Sequence, residues 1–130
     1  VSENKILAHP ASVDSLPTSA DKEDHVSMGT IAARKFIKIL ENAQNVVAME
    51  LLSACQAIEF RRPLKSSALL EFAHDYVREF VSFAEEDRVF ALDVERVAGI
   101  IKDFSFVNKI GELAKEQKIA LNEGFRDFAT

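Results

Sequence analysis

The sequence predicts an all-α protein built as a long-helix bundle, on three observations. Glycine and proline are sparse, four and three in 130 residues, so few punctuating residues interrupt the chain. Apolar residues recur at helical spacing over a stretch of about 33 residues between Gly29 and Pro63. The alternation of a half-buried strand is found nowhere, and no segment repeats.

The elements follow in chain order. Residues 8–29 hold two of the prolines and one glycine in a Ser-, Thr- and Asp-rich stretch. They read as a loop of about twenty residues, a length that is uncommon unless the loop is functional or disordered. Its start, Ala8-His9-Pro10-Ala11-Ser12-Val13, lacks a disordered composition and reads as ordered. After Gly29 a helix is expected up to Pro63, roughly 50 Å at 1.5 Å per residue. Phe36, Leu40, Ala43, Val47, Leu51, Ala54 and Ile58 step by 4, 3, 4, 4, 3 and 4 and form one apolar face. Between Val46 and Ile58 only Glu50, Ser53 and Gln56 are strongly polar, and a helix so apolar must be covered on most sides. A compact domain of this length is about 36 Å across, so the helix overshoots it and implies a larger assembly. A helix kinked into two is the alternative.

Pro63 stops that helix. Ser66 or Ser67 can cap the next with a hydroxyl, and Leu69, Ala73, Tyr76, Phe80 and Phe83 carry its period up to Glu85-Glu86-Asp87. A third helix is expected from near Asp93, burying Val94, Val97, Ala98 and Ile101. A fourth is expected from Ser105, with Val107, Ile110, Leu113 and Ala114. Beyond Lys115 polarity rises into a tail.

Composition narrows the function. The hydrophobic set is 48%, charged residues are 28% and the formal net charge is −5, a soluble globular balance. An acidic chain argues against nucleic acid as a partner, because phosphate binding needs clustered Lys and Arg. No run approaches the roughly 18 apolar residues of a membrane span, and Val1-Ser2-Glu3-Asn4-Lys5 lacks a signal-peptide core. Cys55 is the one cysteine, which excludes an internal disulfide and fits a reducing compartment. The chain starts at Val1 with no initiator Met, as expected of a processed chain or part of a longer one.

Individual side chains offer little chemistry. His9, His25 and His74 show no metal-ligand spacing and read as structural or solvated. Cys55, on the apolar side of the long helix, reads as a small core residue, and no spacing supports a Cys–His nucleophile pair. Phosphate-cradling glycine loops and nucleophile elbows are missing. Asp21, Glu23 and Asp24 cluster at the end of the loop, where acids also favour a helix N-terminus.

Residues 7–29, Leu-Ala-His-Pro-Ala-Ser-Val-Asp-Ser-Leu-Pro-Thr-Ser-Ala-Asp-Lys-Glu-Asp-His-Val-Ser-Met-Gly, resemble the signature loop of histidine ammonia-lyases. The likeness continues through Ile31-Ala32-Ala33-Arg34-Lys35 and Glu50-Leu51-Leu52-Ser53-Ala54-Cys55-Gln56-Ala57-Ile58. It is strong over roughly residues 1–62 and looser around Leu64-Lys65-Ser66-Ser67. Phenylalanine and tyrosine lyases share the Gly29 turn and its helix, but not Ser12-Val13-Asp14-Ser15 or Glu23-Asp24-His25.

The resemblance implies the C-terminal part, about the last quarter, of a cytoplasmic helical lyase. Such lyases assemble as homotetramers and eliminate ammonia from L-histidine to give urocanate, in histidine catabolism. Residues 1–29 would be an active-site loop segment, 30–115 a helical bundle domain and 116–130 a C-terminal tail. The prosthetic group is a methylidene-imidazolone formed from an internal Ala-Ser-Gly, and no metal is involved. That tripeptide is absent here: Met28, Ala98, Ile110 and Glu123 precede the glycines. The chain alone is therefore expected to be inactive, with the remaining part of the lyase as its partner and neither nucleic acid nor membrane involved.

Glu23 matches the family's active-site glutamate, which implies a catalytic and substrate-binding role. Phenylalanine enzymes carry an amide there. A carboxylate pairs with a cationic imidazole or ammonium, whereas a phenyl ring gains nothing from a buried charge. The family usually shows Asn-Gln before this glutamate, and Asp21-Lys22 departs from that pattern. Lys22 could pair with Glu23 or Asp21. Two other functions compete: a non-enzymatic helical assembly module, and an ammonia-lyase or aminomutase of changed amino acid specificity.

Overall fold

The computed structural model describes residues 1–12, 17–23 and 27–121. Among them are five helices: α1 (Ser2–Leu7), α2 (Gly29–Glu59), α3 (Ala68–Phe80), α4 (Ala91–Lys102) and α5 (Ser105–Glu116). The one β-type pairing among these residues is an isolated bridge between Thr18 and Glu23. The all-α expectation therefore holds. No helix of the described residues is long and apolar enough to cross a membrane. The chain forms two compact units, Val1–Ala43 and Gln44–Thr130.

In the first unit α1 has no counterpart among the expected helices. Six residues are too few to show a period, and in water so short a helix is marginal by itself. It is held by side chains of α2. Asn42 Nδ2 donates to Glu3 Oε2 (2.6 Å) and to Asn4 Oδ1 (2.9 Å), and Asn4 Nδ2 donates to the Ile39 carbonyl (3.3 Å). Lys35 Nζ donates to the His9 carbonyl, just past the end of α1.

Helix α2 is one element of 31 residues. It starts after Met28, whose φ of 47° lies in the left-handed region and whose carbonyl accepts the Ala32 N–H at 3.0 Å. It ends at Glu59, before the turn that leads to Pro63, a residue with no N–H to continue a helix. The predicted apolar face is only partly covered within this chain. Phe36, Leu40, Ala43, Val47 and Ala54 are exposed within this chain, and the residues α2 buries are Ala48 and Cys55. The covered line is one position away from the predicted one, because the apolar surface is wider than the side that α3 and α4 can reach.

In the second unit Ala48 and Cys55 join Val77, Val81, Val97 and Ile100 in one core, with Leu51, Leu52, Tyr76 and Phe106 packed against it. Tyr76 on α3 anchors the α3–α5 contact: its ring centroid lies 5.3 Å from that of Phe80 and 6.2 Å from that of Phe106. Ser67 is the N-cap of α3, as expected, but its hydroxyl makes no capping bond. The work is done from inside the helix, where Glu71 Oε1 accepts the Ser66 N–H at 2.7 Å and Oε2 takes Arg62 Nη1 at 2.6 Å. Helix α4 begins two residues before Asp93, and Ser105 opens α5 as expected. Phe104, ahead of it, has a left-handed φ of 61°, and Asp103 Oδ1 accepts the Ser105 N–H at 2.9 Å.

Two of these carboxylates give a pH prediction. The Ser66 N–H, and then Arg62, hold the Glu71 carboxyl below its ordinary range, and the Ser105 N–H does the same for Asp103. A depressed folded pKa contributes stability that is present above the ordinary carboxylate value, about 4, and is lost as pH falls through the folded value. Acidification below about pH 4 should therefore loosen the starts of α3 and α5 before the core. Amide exchange in acid, compared between the native chain and Glu71→Gln, checks this: Gln should remove the acid-linked change at α3 alone.

Candidate functional site

Asp21, Lys22 and Glu23, singled out by sequence, lie in one tight turn of the first unit. The Thr18 N–H donates to the Glu23 carbonyl at 2.7 Å, and the Glu23 N–H returns to the Thr18 carbonyl at 3.2 Å. Thr18 Oγ1 adds a longer bond to the Glu23 carbonyl (3.4 Å), and the Lys22 N–H reaches the Ser19 carbonyl (3.4 Å). Between the paired ends Ser19, Ala20 and Asp21 take φ of 52°, 56° and 64°. Left-handed geometry costs an L-residue roughly 1–2 kcal/mol. Asp relieves that cost with local hydrogen bonds, and Ala has no side-chain group to do so. Three successive residues of this kind, with no glycine among them, form a turn the chain would not choose locally. Strain of this sort concentrates at ligand clamps and active sites.

The turn presents Asp21, Lys22 and Glu23 to solvent together. The pairing anticipated for Lys22 is not made: among the described residues it forms no ion pair with Asp21 or Glu23. Glu23 is thus a backbone-anchored carboxylate with an exposed side chain. Asp24 and His25, and the Val13-Asp14-Ser15 part of the signature, lie outside the described residues. Sequence reasoning missed Thr18, the residue that fixes the backbone of Glu23. A single bridge has no alternation to betray it, and the neighbouring Pro17 signals only a turn.

Other features of the chain are structural. His9 is exposed, with Nδ1 3.2 Å from the Pro10 carbonyl. His74 is buried, with its ring nitrogens 2.9 Å from Glu59 Oε1 and 2.9 Å from Asp75 Oδ1, so it ties α3 to the end of α2. The Glu59 approach lies off the direction of a hydrogen bond. Burial pushes the Cys55 thiol up, against the pull of Arg78, which disfavours a thiolate nucleophile. No group of three His, Cys, Asp or Glu among the described residues is arranged for a metal.

The second unit has an open cavity of about 730 Å³ lined by Met49, Leu52, Gln56, Phe60, Arg78 and Arg88, among others. Its arginines are already engaged. Arg78 binds Glu59 (3.3 Å) and the Val81 carbonyl (3.3 Å), and Arg88 binds Asp93 (2.8 Å) and the Ser82 carbonyl (2.7 Å). Neither is left to anchor an anionic ligand.

The family model for aromatic amino acid lyases matches residues 1–79, past the strong part of the sequence resemblance. The histidine ammonia-lyase of Desulfotalea psychrophila is 53% identical over 105 residues, 81% of this chain and 20% of that protein. That of Natranaerobius thermophilus is 51% identical over 118 residues, 91% of this chain and 23% of that protein. The crystal structure of histidine ammonia-lyase from Trypanosoma cruzi superposes with a TM-score of 0.82 at 40% identity, covering 96% of this chain and 23% of that one. The chain thus spans about a fifth of the length of the curated relatives it matches.

Proposed function

This chain belongs to the aromatic amino acid lyase family, and from that premise we propose that it is the C-terminal part of a histidine ammonia-lyase, contributing Glu23 to the elimination of ammonia from L-histidine to give urocanate. The observation that carries the proposal is the Thr18–Glu23 turn. It holds a glutamate by its backbone, on a strained segment, with its side chain exposed. A substrate bearing an ammonium and an ionisable imidazole offers donors to that carboxylate, and charge-assisted hydrogen bonds are about twice as strong as neutral ones. Glu23 holds the substrate by its cationic end and is placed to accept a proton from it.

The methylidene-imidazolone of such lyases supplies the electrophile. The residues present do not fit its formation, because no glycine here follows a serine. The role of this chain is therefore substrate positioning and proton handling, with the electrophile supplied by other parts of the lyase. Residues 1–29 serve as the active-site loop segment, 30–115 as the helical bundle and 116–130 as the tail. A homotetramer in the cytoplasm is the proposed setting. Ile31, Phe36, Ile37, Leu40 and Val47 are about half or more exposed along α2, an apolar surface that other copies or the rest of the lyase would cover. The same surface is what favours the second reading, a helical assembly module without catalysis.

The test is an amino acid panel on the full-length protein that contains this segment. Urocanate absorbance should rise with L-histidine, no cinnamate should form from L-phenylalanine, and the 130-residue chain alone should give neither. Product from phenylalanine would indicate a changed specificity set by Asp21 and Lys22. No product from any amino acid would favour the assembly module.

A further inference from the structure

We propose that the open cavity of the second unit is the seat for an apolar segment bearing a lysine or arginine, supplied by the part of the lyase outside this chain. The inference rests on the reading of the chain as part of a longer lyase. The cavity is bounded by α2, by the start of α4 and by the irregular segment that joins α3 to α4. Leu52, Val81 and Val94 are its more buried walls. Phe60 and Phe90 also line it, yet they are 74% and 45% exposed. Val89 and Leu92, on either side of Phe90 in the chain, are exposed as well, so the apolar surface runs on past the cavity. Surface of this kind marks a place where something docks. A small molecule fills about 730 Å³ but leaves that outer surface in water, whereas a polypeptide covers both. The histidine ammonia-lyases that this chain matches are several times its length, so most of such a protein remains to be placed against it.

The charge of the lining selects the sign of the occupant. Glu85, Glu86, Asp87 and Asp93 line the cavity against two guanidiniums, Arg78 and Arg88. Both guanidiniums are committed, Arg78 to Glu59 and Arg88 to Asp93. Glu85, Glu86 and Asp87 are exposed and enter no ion pair among the described residues. The uncompensated charge is therefore negative, and a cationic side chain complements it. A run of acids is ordinarily a solvated face, but this one stands on a backbone that is held. Gln56 Nε2 donates to the Ala84 carbonyl at 2.8 Å, and its Oε1 accepts the Ala84 N–H at 3.2 Å. Arg78 and Arg88 donate to the carbonyls of Val81 (3.3 Å) and Ser82 (2.7 Å). Three side chains thus fix a segment that has no helical bonds of its own. A surface ordered in advance loses less entropy when a partner arrives.

The experiment is hydroxyl-radical footprinting of the full-length protein, before and after exhaustive dialysis. Phe60 is the main reporter, because this chain by itself leaves it largely exposed. In the native protein it should be labelled at least about tenfold more slowly than in a peptide digest, as expected of a residue inside a packed, dry contact. Dialysis should not change that. The pair Glu85→Lys and Glu86→Lys should speed labelling of Phe60 and Phe90 by about fivefold, because like charges across an interface repel. Glu85→Gln with Glu86→Gln should act in the same direction and less strongly. Amide exchange in α5 serves as the control for folding, and where the lysine pair loosens α5 the glutamine pair decides. Labelling of Phe60 near the digest rate overturns the inference, since the cavity would then be open to water. Protection lost on dialysis overturns it in favour of a small molecule. Protection indifferent to both pairs also overturns it, since the cover would then carry no cation. Urocanate formation by the unmodified full-length protein tests the lyase reading separately.

Discussion

Replacing Glu23 by alanine in the full-length enzyme should lower kcat for L-histidine by about 10²-fold or more, with the assembly intact. Groups that act as general acids or bases contribute roughly 10²–10⁴-fold, the role proposed for this carboxylate. Its backbone is pinned on both sides by Thr18, and its side chain is exposed. Glu23→Gln keeps the shape and loses the charge. It should also be impaired, and the variant should discriminate less against phenylalanine, because an uncharged ligand no longer faces a carboxylate that it must desolvate. The competing account makes Glu23 one of several acids ahead of a helix, where it would stabilise the dipole by about 0.3–1 kcal/mol. That account expects a small loss of stability and almost no change in rate. Steady-state kinetics on the two variants separates the accounts by orders of magnitude, and a near-normal kcat in both would return Glu23 to the dipole role.

The largest effect on stability should come from Arg88→Met, at about 2–3 kcal/mol. Asp93 sits in the first turn of α4 with 5% of its surface exposed. Its carboxylate meets Arg88 Nε at 2.8 Å and Arg96 Nη1 at 3.4 Å. Arg88 also spans the turn between α3 and α4, donating to the carbonyls of Ser82 (2.7 Å) and Phe83 (3.3 Å). Removing one member of a buried pair typically costs about 3–5 kcal/mol, because the remaining charge is left desolvated. The expected figure is lower, since Arg96 stays and the Arg88 side chain is 34% exposed. Guanidinium unfolding of the chain, followed by helical circular dichroism, measures it. Adding Asp93→Asn to Arg88→Met should recover part of the loss, and the double-mutant cycle gives the coupling. A loss below about 0.5 kcal/mol would place the pair with ordinary surface ion pairs.

The legible parts of this protein are those governed by nearby residues. Pro63 ended α2, the serine pair before Ala68 marked the start of α3, and Ser105 opened α5, because proline, capping residues and apolar period act within a turn or two. The same local character let the irregular segment before Gly29, with Glu23 in it, be matched as a linear string. What was misread or missed involves partners far apart in sequence. Helix α1 exists through Asn42 and Lys35, more than twenty residues away, and its own six residues carry no signal. The covered line of α2 passes through Ala48 and Cys55 because α3 and α4 arrive on that side. The broad apolar surface alone could not choose between neighbouring lines. Asp93 stands near a helix start, as expected, but its burial was not legible, because its partner Arg88 comes from the preceding turn. The sequence by itself determined that the chain is helical, where most of its helices begin and end, and that a carboxylate stands in the loop at Glu23. The tertiary structure alone decided which apolar faces are covered and how Thr18 and three left-handed residues hold that carboxylate. Burial and backbone closure are properties of surfaces that meet, and no single stretch of chain contains both sides of the contact.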